Sequence, residues 1–403
     1  MIELLIFILT YALISLQNVQ KFKMDRFKMD RPAASTIGAC LMLAFGVLSL
    51  DEAVRAIDYN TIILLFGMMV LTAYLGIAGF FDYLAYRIMK FSGNGKRLLF
   101  TIVFSAGFLS AFFVNDTICV FMTPVVVSLA VSSGVNPVPL LIALATSANI
   151  GSAATIIGNP QNMLIGMKSG IGFIEFFVKM FPISIIGLFM AYAIIYLIYR
   201  KELNKFRVAE IEINLDRKLA AKSLIVFLFV LLLFVTEIYP VSLAAFIGAA
   251  LIFAIGGIKP KQALERVDWG LLLLFCNLFI VMHGFEKSYS GYLISMLSYE
   301  DSLASYFWIS FLTVVGSNLV SNVPFVMMVT PVVQATNGEL WYILAMSSTF
   351  AGNLTIIGSV ANLIVVENAE KYGITVSFFE YLKVGVPLTI LSVLVGTVMI
   401  YLT

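Results

Sequence analysis

Charge is scarce in this sequence. Only 12% of its 403 residues are charged while 61% are hydrophobic, so a soluble globule is excluded for want of polar surface. Histidine occurs once, as His283, and the three cysteines, Cys40, Cys119 and Cys276, stand alone in apolar segments with no CxxC spacing. Disulfide and zinc frameworks are thereby excluded. Nothing matches GxxxxGK[ST], so direct ATP coupling within the chain is not expected. Alternating ten-residue strands are absent, as is a basic region ahead of the first apolar run, Ile2 to Leu16. That run is read as a retained span and not as a signal peptide. A formal net charge of +2 carries no message about nucleic acid.

What remains is an all-α integral membrane protein with a mean hydropathy of +1.00. Since about 20 apolar residues cross the hydrocarbon, ten spans are expected near 2–19, 33–50, 61–80, 139–165, 173–199, 223–238, 241–257, 270–284, 341–366 and 384–402. Two further segments, about 98–131 and 304–335, carry polar tips at Val114-Asn115-Asp116-Thr117 and Ser321-Asn322-Val323-Pro324. With arms of about 15 residues each, they are read as re-entrant hairpins. On that count the basic loops fall on one side, and the positive-inside rule makes it the cytoplasm. A plasma-membrane protein with both termini outside follows. The first hairpin then opens inward and the second outward.

The halves repeat. Gly38 to Gly46 is echoed by Gly248 to Gly256, Asp58 by Asp268, Thr123-Pro124 by Thr330-Pro331, and Glu175 to Pro182 by Glu380 to Pro387. About five crossings per half is an odd number, so the repeats are expected to be inverted. Residues 1–199 form the first, 200–222 a charged linker with room for a short interfacial helix, and 223–403 the second.

Two spans are filled with residues that break helices. Ser147 to Asn162 contains Asn149, Gly151, Thr155, Gly158, Asn159 and Pro160, and Ser347 to Asn362 contains Gly352, Asn353, Thr355 and Gly358. Irregular backbone at membrane depth survives only where protein packs it or a wet cavity solvates it, and paired interruptions of this kind point to a transporter's binding site. The candidate site is therefore Asn115, Asp116, Thr117, Asn149, Gly158, Asn159 and Asn162 with Ser321, Asn322, Gly352, Asn353, Thr355, Gly358 and Asn362. Asp116 is outstanding, because a carboxyl at that depth is functional by default; with Asn115 it is a candidate Na⁺ ligand. The side chains can equally bond their own broken backbone, and the glycines read first as packing residues. Neither hairpins nor interrupted spans, as bounded here, hold a basic residue, so half-helix N-termini would attract an anion. Asp58 and Asp268 read as helix-start residues. His283 and Glu286 lie at the outer end of a span and are read as interfacial.

This order of spans, with Asn-Asp-Thr then Thr-Pro in one hairpin, Asn149-Ile-Gly151 to Gly158-Asn159-Pro160-Gln161-Asn162 after it, and Ser321-Asn322 in the other, resembles the ion transporter superfamily. That superfamily includes arsenite efflux permeases, NhaD-type sodium/proton antiporters, and citrate-transporter-like divalent anion/sodium symporters. The chain differs from the symporters' Ser-Asn-Thr at both tips, and from the Gly-Asp-Pro-Pro-Asn of the arsenite and antiporter branches. The resemblance implies elevator motion of hairpins and interrupted spans. The expected function is secondary active transport of a small anionic or oxyanion-like solute, arsenite included, coupled to Na⁺ or H⁺ with no other cofactor. A sodium/proton antiporter is the alternative. A channel is disfavoured by hairpins opening to opposite sides, and an enzyme by a lone histidine with scattered hydroxyls. Assembly as a homodimer is left open.

Overall fold

A computed structural model describes residues 1–20, 30–90, 94–203, 214–296, 302–336 and 338–403, and every regular element among them is helical. In the first half these are α1 (Ile2–Gln20), α2 (Arg31–Ala44), α3 (Leu50–Ala56), α4 (Tyr59–Ile77), α5 (Phe80–Lys90), α6 (Gly95–Phe112), α7 (Asn115–Ser133), α8 (Pro137–Ser152), α9 (Pro160–Ser169) and α10 (Phe173–Tyr199). The second half follows with α11 (Arg217–Thr236), α12 (Val241–Ile255), α13 (Pro260–Leu264), α14 (Trp269–Met296), α15 (Leu303–Val320), α16 (Asn322–Gln334), α17 (Glu339–Ala351), a 3₁₀ turn (Ile356–Gly358), α18 (Val360–Glu370) and α19 (Phe378–Leu402). Lys21, Lys23, Arg26, Lys28 and linker residues 204–213 lie outside the described residues. The remaining linker is shorter than expected, because Asp216 caps α11 and starts it at Arg217.

Among the described residues, eight helices are long and apolar enough to cross a membrane: α4, α6, α7, α10, α11, α14, α15 and α19. Three of them are the arms of the expected hairpins, of 18 residues in α6 and α15 and 19 in α7. These three arms thus exceed the expected 15 or so, while the fourth, α16, has 13 residues. Length alone does not separate a hairpin from two spans. Other expected spans are shorter, such as the 14 residues of α2 and 15 of α12, or are built from two half-helices in series. Lipid accounts for the outer surface, where Leu228, Leu232, Phe189, Leu197, Trp308 and Leu319 are all more than half exposed. Apolar exposure of that extent is incompatible with water.

The core is formed by the polar, interrupted segments. Every residue of α8 from Pro139 to Ser152 and of α17 from Leu340 to Ala351 is buried. Around them α6 packs on α8 and α15 on α17, while the second hairpin arms cross over, α7 against α18 and α16 against α9. The halves interlock. Asp58 caps α4 through Asn60 N and Thr61 N, and Asp268 Oδ1 accepts from Leu271 N at 2.9 Å, so both helix-start readings hold.

Candidate functional site

Helix α8 stops at Ser152 and α9 starts at Pro160, while α17 stops at Ala351 and α18 starts at Val360. Pro160 opens α9 because its missing N–H has no partner to lose at a first helical position. Asn159 caps that helix by accepting from Asn162 N at 2.8 Å, and Ser359 caps α18 by accepting from Ala361 N at 3.2 Å. Gly158 is a steric requirement, since a Cβ there would stand 2.2 Å from Ser152 O.

The two breaks meet and bond across the halves. Asn149 is the hub. Its Oδ1 accepts from Asn115 Nδ2 and from Ser359 Oγ, each at 3.0 Å, and its Nδ2 donates to Asn353 Oδ1 and Asn362 Oδ1, each at 3.0 Å. Asn362 Nδ2 donates onward to Gly352 O at 2.6 Å and Thr355 O at 3.0 Å. The other half repeats the pattern 200 positions earlier: Asn162 Nδ2 donates to Ser152 O at 3.3 Å and Thr155 O at 3.1 Å. Thr349, at the position matching Asn149, takes the hub role there. Its Oγ1 accepts from Asn159 Nδ2 at 3.3 Å and Gln161 Nε2 at 3.4 Å. Thr155 and Thr355 tie each break to its own hairpin, through Ala111 O and through Asn318 Oδ1.

Burial separates the candidate residues into two groups. Asn149, Asn159, Asn162, Asn353 and Asn362 are 2% exposed or less and bond one another and the broken backbone. Gly352 and Gly358 sit in the same close packing, with a Cβ at Gly358 only 2.7 Å from Asn318 Oδ1. These residues hold the crossing together. The hairpin tips differ. Asn115 N donates to Gly158 O at 3.0 Å, which pins the first tip to the first break, yet Asn115 Oδ1 is buried without a partner among the described residues. Asn322 Oδ1 in the second tip is likewise buried and unpartnered. So are the hydroxyls of Ser110 and Ser317, each five positions before its tip asparagine. Ser321 has φ +82°, a left-handed backbone that a non-glycine residue adopts under strain.

Asp116 and Thr117 make no side-chain bond to the asparagine network. They line a cavity of about 370 Å³ with Val114, Arg266 and Asp268. Arg31 is within electrostatic reach of Asp116 as well. A second cavity of about 380 Å³ is lined by Arg55, Lys168, His283 and Glu286, but it touches α16 only at Met327, Thr330 and Gln334, short of its tip. One expectation changes here. Helix α9 continues past residue 165 to Ser169, so an interrupted span does carry a basic residue, Lys168. Arg266, in the turn between α13 and α14, shares the first cavity's wall with the hairpin carboxyl.

Residues that composition did not single out are Ser152, Thr349, Gln161, Asn318 and Ser359. Thr349 and Ser359 were recoverable, as the repeat positions of Asn149 and Asn159. Asn318 lies in the last turn of α15, and only packing brings it to Thr355.

The citrate transporter family model matches residues 11–342. The chain belongs to this family. As a citrate transporter family member it is a multi-pass membrane transporter, similar over 91% of its length to the silicon efflux transporter LSI3 of Oryza sativa subsp. japonica, at 29% identity and covering 92% of that protein. The putative transporter arsB of Dictyostelium discoideum is 28% identical over 93% of this chain and 88% of its own. A 46 kDa membrane protein of Mycobacterium leprae is 28% identical over 100% of this chain and 98% of its own. Among solved structures, the YdaH transporter of Alcanivorax borkumensis has the same fold, with a TM-score of 0.61 at 13% identity over 100% of this chain and 98% of that one.

Proposed function

We propose that this member of the family is a secondary active transporter of a small anion or oxyanion-like solute, coupled to Na⁺ or H⁺ through Asp116. The observation that carries the reading is the first hairpin tip. There a carboxyl facing an open cavity stands next in sequence to a buried amide oxygen, Asn115 Oδ1, that no group among the described residues satisfies. A buried acceptor left unpaired costs about 1–3 kcal/mol, and oxygen donors of this hardness suit Na⁺. Asn322 Oδ1 offers the matching acceptor in the second half, and neither α7 nor α16 has a side-chain cap on its first turn. Uncapped N-termini favour a negative group. Arg266 on the cavity wall supports an anionic solute over sodium/proton exchange alone, which has no use for it. We further infer that both hairpins are re-entrant within inverted repeats, and that hairpins and interrupted helices move together past the remaining spans.

The test is uptake in proteoliposomes under imposed Na⁺ and pH gradients, across arsenite, sulfate, phosphate, dicarboxylates and no solute. Asp116→Asn keeps the shape of the side chain and loses its charge, so it is expected to abolish gradient-driven accumulation while the protein inserts normally. Ion dependence that survives unchanged in the variant would refute the assignment.

A further inference from the structure

On the wall of the second cavity, Lys168 near the end of α9 pairs with Asp58 at 3.2 Å. Its ammonium also lies 5.6 Å from the centroid of the Phe279 ring. The two partners belong to different parts of the molecule. Helix α9 is the far half of an interrupted span, whereas Asp58 caps α4, which packs on α11 and α12 and meets α9 along one side.

Each partner has a repeat mate. Asp268 stands 210 positions after Asp58 and caps α14 as Asp58 caps α4. The position 200 after Lys168 holds Asn368, whose Oδ1 accepts from Lys371 Nζ at 2.7 Å. The Lys371 ammonium is therefore delivered to the end of the side chain that replaces Lys168. This second pair is not made. Lys371 bonds Asn368 and no carboxylate among the described residues. Asp268 instead lines the cavity that reaches the first hairpin tip, alongside Val360 and Ile364 of α18.

The ion pair is thus closed beside the hairpin tip that the second cavity stops short of, and open beside the tip that the first cavity reaches. Bringing Lys371 to Asp268 requires α18 to close on the start of α14, which fills the tip cavity. Under inverted repeats, the same displacement carries α9 away from α4. We propose that Lys168–Asp58 latches the present conformation and that Lys371–Asp268 latches the opposite one, in which the first tip is closed and the second exposed. The inference rests on the inverted-repeat transporter reading above.

The experiment uses the full chain in proteoliposomes, with Cys40, Cys119 and Cys276 replaced by serine. Two cysteine pairs are compared for the rate of cross-linking by a short bifunctional maleimide: Asp58→Cys with Lys168→Cys, and Asp268→Cys with Lys371→Cys. The first pair is expected to cross-link readily and the second slowly, as a minor conformation. Adding Lys168→Gln to the second pair is expected to speed its reaction roughly two- to fivefold, the population shift released by a partly exposed ion pair. The charge swap Lys168→Asp with Asp58→Lys is expected to restore the slow rate. No cross-link between positions 268 and 371 while 58 and 168 react, or a rate indifferent to Lys168→Gln, overturns the latch. Transport is measured separately on the parent protein. Coupled uptake without the cross-linking response removes the latch alone, whereas the response without uptake of any solute removes the transport reading and leaves the latch.

Discussion

Replacing Asn149 is the sharpest test of how the crossing is held. Asn149→Ala removes one acceptor and one donor group, and with them four hydrogen bonds of 3.0 Å, to Asn115, Ser359, Asn353 and Asn362. The residue is 2% exposed, so water does not readily take the vacated places. Hydrogen bonds within membrane proteins average about 0.6 kcal/mol with a maximum near 1.7, and a buried group left unpaired costs about 1–3 kcal/mol. Four bonds then give a loss of about 2–7 kcal/mol. Thr349→Val is the internal control. It removes contacts of 3.3, 3.4 and 3.5 Å, all at the long limit, and keeps the side-chain volume, so about 1 kcal/mol is expected. Asn149→Asp is expected to be the worst of the three, because a carboxylate oxygen would replace an N–H that faces two amide oxygens. Thermal unfolding in detergent, or reversible unfolding in bicelles, measures the series. An Asn149→Ala loss no larger than that of Thr349→Val would refute the hub assignment.

Other substitutions probe the backbone and the surface. Gly158→Ala places a Cβ 2.2 Å from Ser152 O and is expected to abolish folding or cost several kcal/mol by overpacking. Gly134→Ala, at φ +70° with nothing within 4 Å, is expected to cost only about 1–2 kcal/mol; equal losses would show that the first break is not close-packed. Ser321→Gly relieves the φ of +82° and is expected to raise stability by about 1 kcal/mol while weakening solute affinity, read as melting temperature against half-saturation of uptake. An unchanged melting temperature would count against strain at that tip. Glu52 in α3 has its carboxyl held down from the ordinary 4.5 to about 2, first by Lys287, 2.8 Å away, then by the Ser49 cap. Its contribution is therefore full above pH 4.5 and lost as pH falls from there toward 2. The acid limb of stability is expected to flatten in Glu52→Gln, and a limb identical to wild type would show that the exposed pair contributes nothing measurable.

Much of the architecture is legible from composition and repetition alone. A chain this apolar with so few charges has to be a bundle of helices in lipid, because only internally bonded backbone survives there. The recurrence of Asn, Gly, Ser and Thr at matched positions marks where helices α8 and α17 end. Asp58 and Asp268 announce themselves as caps, since capping is local chemistry readable within four residues. Tertiary structure alone decides which polar groups satisfy one another. From sequence, Asn149, Asn159, Asn162, Asn353 and Asn362 rank equally with Asn115 and Asn322 as candidate ligands. Packing bonds the first five within two clusters and to the broken backbone, and leaves the two tip oxygens without a partner among the described residues, because the halves cross and Asn149 reaches residues more than 200 positions away. The same crossing brings Arg266 to the cavity beside Asp116 and Lys168 to Asp58. Such pairings depend on where helices from the two halves meet, which no local spacing encodes.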